Sequence, residues 1–172
     1  MKNIYLIGMP GSGKSSIGEK LSLMLDRTFV DTDKKVLEVW GRTPEEIILE
    51  EGEGKLRERE HEVLLKLIGK DGLIVSTGGG LPIFGDNMAL MKENGIVIYI
   101  RQEPKALWKR LEKQRRRPLS DTLVKTEELY GRRRDIYEEA HIVFEAEEDF
   151  RKNLQGIIKQ VKKEFPGEID RM

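Results

Sequence analysis

The sequence predicts a three-layer α/β sandwich built around a five-stranded parallel sheet, and three observations predict it. Short, mostly apolar runs alternate with longer helical patterns along the chain, the rhythm of βαβ units joined by right-handed crossovers. The runs lack a polar face, as in strands covered on both sides. Between the first run, Ile4-Tyr5-Leu6-Ile7, and the first helical pattern lies Gly8-Met9-Pro10-Gly11-Ser12-Gly13-Lys14-Ser15. It fits G-x-x-x-x-G-K-[ST], a loop that leaves a strand, enters a helix and wraps a polyphosphate.

The elements follow in order. Residues 3–7 form the first strand, and residues 14–25 the helix that receives the loop. A second strand over 28–30 leads into helices over 34–40, 44–51 and 55–68. Thr32 and Thr43 suit N-caps, and Pro44 suits a first helical turn. Residues 73–76 give the third strand, and a helix over 87–93, capped by Asp86, leads to the fourth over 95–100. Helices over 104–112 and 124–140 flank 113–121, an arginine-rich stretch around Pro118 that reads as a mobile loop. A fifth strand over 141–145 and a helix over 148–165 complete the pattern, and the tail 166–172 is expected to fray.

At 172 residues the chain suits one domain with a substantial core. Its 31 basic and 31 acidic residues cancel. A neutral total gives no general attraction to nucleic acid or to an anionic membrane, so neither is an expected partner. The absence of cysteine excludes disulfides and thiolate chemistry. No apolar run approaches the roughly 20 residues of a membrane span. Pro10 and Gly11 interrupt the only candidate signal segment, so a cytoplasmic location is expected.

In the loop, glycines let the backbone turn tightly and aim successive N–H groups inward, and the helix dipole adds to that field. Lys14 can reach the β- and γ-phosphates, and the Ser15 hydroxyl can ligate Mg²⁺. Asp31-Thr32-Asp33 follows the second strand, where ligands of open α/β sheets bind. Asp31 can hold Mg²⁺ through water and Asp33 can accept from a substrate hydroxyl, or both can simply cap a helix. Ser76-Thr77-Gly78-Gly79-Gly80-Leu81-Pro82 after the third strand offers bare N–H donors, or is a flexible turn. Arg57 and Glu60 share a helix face, which on spacing alone suits a surface ion pair. Arg134, in a charged run, likewise suits a solvated face on the sequence alone. One of Arg115, Arg116 and Arg117 can swing over a triphosphate, though the sequence does not choose among them. Arg110 and Trp108 lie just before that stretch, where a contact with an adenine is open to them.

In combination these motifs resemble the shikimate kinase family, P-loop kinases related to the nucleoside monophosphate kinases. The match runs from about residue 2 to 140 and agrees in order and spacing. Residues 8–15 look like the family's phosphate loop, and Asp31-Thr32-Asp33 is similar to its D-x-D. Leu56-Arg57-Glu58-Arg59-Glu60 looks like its F-R-x-x-E, with Leu in place of Phe. Thr77-Gly78-Gly79-Gly80 resembles its triple glycine, and Arg117-Pro118-Leu119 its lid R-P-L. Arg134-Asp135-Ile136-Tyr137-Glu138-Glu139-Ala140 is similar to its R-x-x-Y-x-x-A.

The resemblance implies a P-loop NTPase fold of the nucleoside monophosphate kinase type. It implies one domain over 1–172, with a substrate segment at about 33–61 and a lid at about 112–123. The implied reaction is ATP-dependent phosphorylation of the 3-hydroxyl of shikimate in chorismate and aromatic amino acid biosynthesis. Gly11, Ser12, Gly13, Lys14, Ser15, Ser16, Arg110 and the lid arginine Arg117 would bind ATP. Asp33, Arg57, Gly79, Gly80 and Arg134 would bind shikimate, with Glu60 orienting Arg57. Ser15 and Asp31 would serve Mg²⁺, and Lys14, Asp33 and Arg117 would carry the chemistry. A monomer is expected. The competing readings are a kinase for another small acceptor, such as gluconate or a nucleotide, and a non-catalytic nucleotide-binding regulator.

Overall fold

The computed structural model describes residues 1–113 and 123–169. Among them are five strands: β1 (Asn3–Ile7), β2 (Phe29–Asp31), β3 (Ile74–Ser76), β4 (Gly95–Arg101) and β5 (Ile142–Glu145). All pair in parallel, in the order β2-β3-β1-β4-β5, with Leu6 in register with Ser76 on one side and Ile98 on the other. The helices are α1 (Lys14–Leu25), α2 (Thr32–Trp40), α3 (Pro44–Glu51), α4 (Glu53–Ile68), α5 (Asn87–Asn94), α6 (Pro104–Lys113), α7 (Leu123–Tyr137) and α8 (Phe150–Glu164). The predicted fold class is the observed one. Among the described residues no helix is long and apolar enough to cross a membrane.

Successive strand residues point to opposite faces, and the core divides accordingly. Ile4, Leu6, Ile74 and Ile98 pack with Ile17 and Leu21 of α1 and Leu154 and Ile157 of α8. Tyr5, Ile7, Val75 and Tyr99 pack on the other face with Leu64 of α4, Met91 of α5, Leu107 of α6 and Tyr137 of α7. Every residue of β1 is buried. With β3 between β1 and β2, the loops leaving the carboxyl ends of these three strands meet above one edge of the sheet.

Three local expectations need correction. The N-cap of α2 is Asp31 rather than Thr32: its Oδ1 accepts from the amides of Asp33 and Lys34 at 2.9 and 3.3 Å. The helix therefore begins at Thr32, two residues earlier than its apolar pattern suggests, and the Thr32 hydroxyl accepts from the Gly78 amide at 2.8 Å. Asp86 makes no side-chain cap to α5. The tail is docked as far as Ile169, which is 4% exposed. Arg27 donates to the carbonyls of Lys2 and Glu168, and the Lys2 amide donates to the Glu168 carboxylate. Thr43 caps α3 in a full capping box with Glu46, and Pro44 sits in the first turn.

Candidate active site

The loop after β1 takes its shape from glycine. Gly11 and Gly13 have φ of 82° and 88°, which side-chain-bearing residues rarely adopt. Lys14 is buried, and its Nζ donates to the carbonyls of Gly8 and Met9, each at 2.9 Å. Burial draws the Lys14 ammonium down to about 8, and Arg133 adds to this, while Asp33 and Asp31 oppose it. An anion laid along the loop would relieve that burial cost by supplying opposite charge.

Ser15, in the first turn of α1, donates to Asp31 Oδ2 at 2.8 Å and lies 3.1 Å from the Ser76 hydroxyl. Asp31 thus caps α2 with one oxygen and meets Ser15 with the other, so its two readings are compatible. Asp33 stands on the same side, exposed to the open cleft yet crowded by acidic neighbours. Partial desolvation raises its carboxyl to about 7, with Glu60 and Asp31 adding to the shift and Lys14 opposing it.

Across the cleft lies an ionic cluster from α4 and α7. Arg57 bonds Glu60 at 2.5 Å and Glu53 at 2.9 Å. Glu60 is 1% exposed; burial raises its carboxyl, while Arg57 opposes this. Spacing alone suggests a surface pair here; Leu56, Val63 and Leu64 carry this stretch of helix into the core instead. Leu56, at the position where the resembling motif carries Phe, is buried and lines the cleft.

The second guanidinium of the cleft belongs to Arg133, and this corrects the assignment to Arg134. Arg133 is 4% exposed, lines the cleft, and its Nη1 has no hydrogen-bond partner among the described residues. Arg134 points outward and pairs with Glu138 at 3.0 Å. Helix geometry explains the exchange: Arg133 lies four residues before the buried Tyr137 and shares its face. The Tyr137 hydroxyl donates to the Gly79 carbonyl at 2.5 Å, tying α7 to the glycine turn. Gly79 and Gly80 line the cleft, which holds about 200 Å³.

A second cavity opens on the other side of the loop. Its walls are the loop and the start of α1, including Ser12 and Ser16, together with Arg110, Glu148, Phe150 and Asn153. Arg110 Nη1 donates to the Gly11 carbonyl at 3.4 Å. Gly11, Lys14 and Ser15 line both cavities, so the two meet at the phosphate loop. Sequence reasoning missed Phe150 and Asn153. The sequence places a helix over 148–165, and Asp149, whose carboxylate accepts from the Arg151 and Lys152 amides, caps it, but no local pattern shows that its first turn faces the loop. Arg115, Arg116 and Arg117, and most of the expected lid, lie outside the described residues.

Comparison with known proteins bears on this geometry. The family model for shikimate kinase matches residues 10–164. A shikimate kinase of Clostridium botulinum (strain Loch Maree / Type A3) is 38% identical over 167 residues, covering 95% of this chain and 98% of its own. That of Nitrosospira multiformis is 40% identical over 148 residues, covering 84% of this chain and 76% of its own. The structure of shikimate kinase from Acinetobacter baumannii in complex with shikimate superposes with a TM-score of 0.91 at 31% identity, covering 96% of each chain. The similarity thus runs through the loop, the ionic cluster and α8 alike, and the chain belongs to the shikimate kinase family.

Proposed function

We propose that the protein transfers the γ-phosphoryl group of ATP to the 3-hydroxyl of shikimate, giving shikimate 3-phosphate and ADP on the route to chorismate and the aromatic amino acids. The observation that carries this reading is the meeting of two cavities at Lys14, one walled by phosphate-binding backbone and the other by two buried guanidinium groups. A planar fork of donors matches a carboxylate, so Arg57 and Arg133 suit the acid group of shikimate. Asp33 suits its ring hydroxyls, with Gly79 and Gly80 closing the floor. Glu60 holds Arg57 in orientation.

ATP lies along Gly11, Ser12, Gly13, Lys14, Ser15 and Ser16, with its base between Arg110 and Phe150. Among the described residues no group of three or more His, Asp or Glu gathers to hold a metal. A hydroxyl and a carboxylate, Ser15 and Asp31, fit Mg²⁺, which favours oxygen ligands, keeps several waters and takes phosphates as further ligands. Bound there, the ion would supply charge neutralisation at the β/γ oxygens.

The chain's own groups do the remainder. Lys14 leaves the loop carbonyls for the β/γ oxygens. Asp33 orients the acceptor hydroxyl and takes its proton as the new O–P bond forms and the bond to the β-phosphate breaks. In a loose transition state that proton moves late, so positioning counts for more than basicity. Arg117, by resemblance, brings a further positive charge over the transferring group. ADP release measured with Mg·ATP and each candidate acceptor tests this. Release that depends on shikimate, with one new phosphomonoester at carbon 3 by phosphorus NMR, is expected. ATP binding with no shikimate-dependent release would refute it, and turnover with gluconate or a nucleotide instead would redirect it.

A further inference from the structure

The glycine turn after β3 has a backbone that does not call for glycine. Gly80 adopts φ −91° and ψ −14°, a right-handed conformation open to any residue. Gly78 and Gly79 are likewise absent from the positive-φ positions. The space around them does exclude a side chain. A β-carbon on Gly78 would fall 2.6 Å from Asp33 Oδ1 and 2.7 Å from Glu60 Oε1. One on Gly79 would fall 2.9 Å from Arg133 Nη1 and 3.0 Å from Pro10 Cδ. One on Gly80 would land inside the Arg57 guanidinium, overlapping Cζ and both terminal nitrogens.

We propose that the three glycines are seats for the ionic side chains of the cleft, and that Gly80 is the positioning residue that fixes the Arg57 guanidinium. The inference rests on the functional reading above and deepens it, since it says how the carboxylate-binding groups reach their places. Each glycine yields its missing β-carbon to a different partner: Gly78 to Asp33 and Glu60, Gly79 to Arg133, Gly80 to Arg57. The turn cannot retreat to make room. Thr32 holds the Gly78 amide at 2.8 Å, and Tyr137 holds the Gly79 carbonyl at 2.5 Å. Arg57 is also held, by Glu60 and Glu53. A methyl group at position 80 therefore displaces the guanidinium from its ion pairs, and the acceptor's carboxylate loses an aligned partner.

The test is a double-mutant cycle with Gly80→Ala and Arg57→Ala, read in kcat/KM for shikimate, in Kd for Mg·ADP and in melting temperature. Gly80→Ala should lower kcat/KM on the order of 10²-fold, as for a reacting group misplaced by about an ångström. The loss should appear mainly in KM, with nucleotide affinity unchanged and the melting temperature reduced. In the Arg57→Ala background the same substitution should do nothing further to kcat/KM or to melting. A full second loss in that background would overturn the proposal and place the effect on the main chain of the turn. Unchanged KM in Gly80→Ala would overturn it as well. Should Gly80→Ala fail to fold, the double variant decides: recovered folding supports collision with Arg57, and continued unfolding refutes it. Wild-type protein inactive on shikimate would sink the functional reading, and the melting cycle would still judge the seat. Active wild type with an additive cycle would sink the seat alone.

Discussion

Two titrating residues, Lys14 and Asp33, line the same cleft, and desolvation moves both toward neutrality. Asp33 is raised to about 7 and Lys14 lowered to about 8. Catalysis needs the first ionised and the second protonated. With Mg·ATP held well below saturation, so that the nucleotide-free enzyme titrates, kcat/KM should therefore rise with pH through about 7 and fall beyond about 8. In Asp33→Asn the acid limb should vanish from the residual activity; persistence of that limb would assign it elsewhere. The stability sign runs the opposite way. A carboxyl whose folded value is raised contributes stability below its unfolded value, about 3.9, and loses it as pH climbs through about 7. Asp33→Asn should melt higher than wild type at pH 8, with a clearly smaller difference at pH 5, where only part of the loss has accrued. Thermal melts at the two pH values check this. Also at the residue scale, Arg133→Ala should raise KM for shikimate at least tenfold, because a partner for the carboxylate is lost. Arg134→Ala, which removes only an exposed pair with Glu138, should leave KM within about twofold. The reverse pattern would restore Arg134 to the cleft.

At the scale of elements, the sequence was most legible where local chemistry decides the outcome. The α1 and α3 boundaries match their patterns because a glycine loop precedes one and a Thr43–Glu46 capping box with Pro44 opens the other. It was less legible where a distant partner decides. The choice between Arg133 and Arg134 turns on which face of α7 meets the sheet, and only Tyr137, buried against Tyr99, marked that face. Helix capping was one of the two readings the sequence offered for Asp31; that one carboxylate caps α2 and meets Ser15 at once depends on the turn after β2, which its apolar pattern does not describe. The end of the chain is the clearest case. Residues 166–169 look like a polar tail, yet Ile169 enters the core beside α1 and α8, and Arg27 and Lys2 bind Glu168. Ile169→Ala should lower unfolding stability by about 2–4 kcal/mol, the range for truncating a buried isoleucine. Denaturant melts monitored by circular dichroism measure this. A change below about 0.5 kcal/mol would mean that the tail frays after all.

For the whole molecule, sheet order converts separate motifs into one cleft. The phosphate loop, the Asp31–Asp33 corner and the glycine turn are far apart in sequence, and the order β2-β3-β1 brings them side by side. That convergence was legible from the fold class alone, because open parallel sheets place ligands at the carboxyl ends of their strands. The far walls were not, because α4 and α7 reach the cleft, and the start of α8 the second cavity, only through packing on the two sheet faces. The account's central claim is that Lys14 and its loop hold ATP while Arg57 and Arg133 hold the carboxylate of the acceptor. The most direct measurement is ADP formation under Mg·ATP with shikimate and with its methyl ester, which keeps every hydroxyl and loses the charge. The account predicts efficient turnover of the acid and a loss in kcat/KM of about 10²-fold for the ester, the equivalent of about 3 kcal/mol in charged hydrogen bonds. Equal turnover of acid and ester, or none of either, would contradict it.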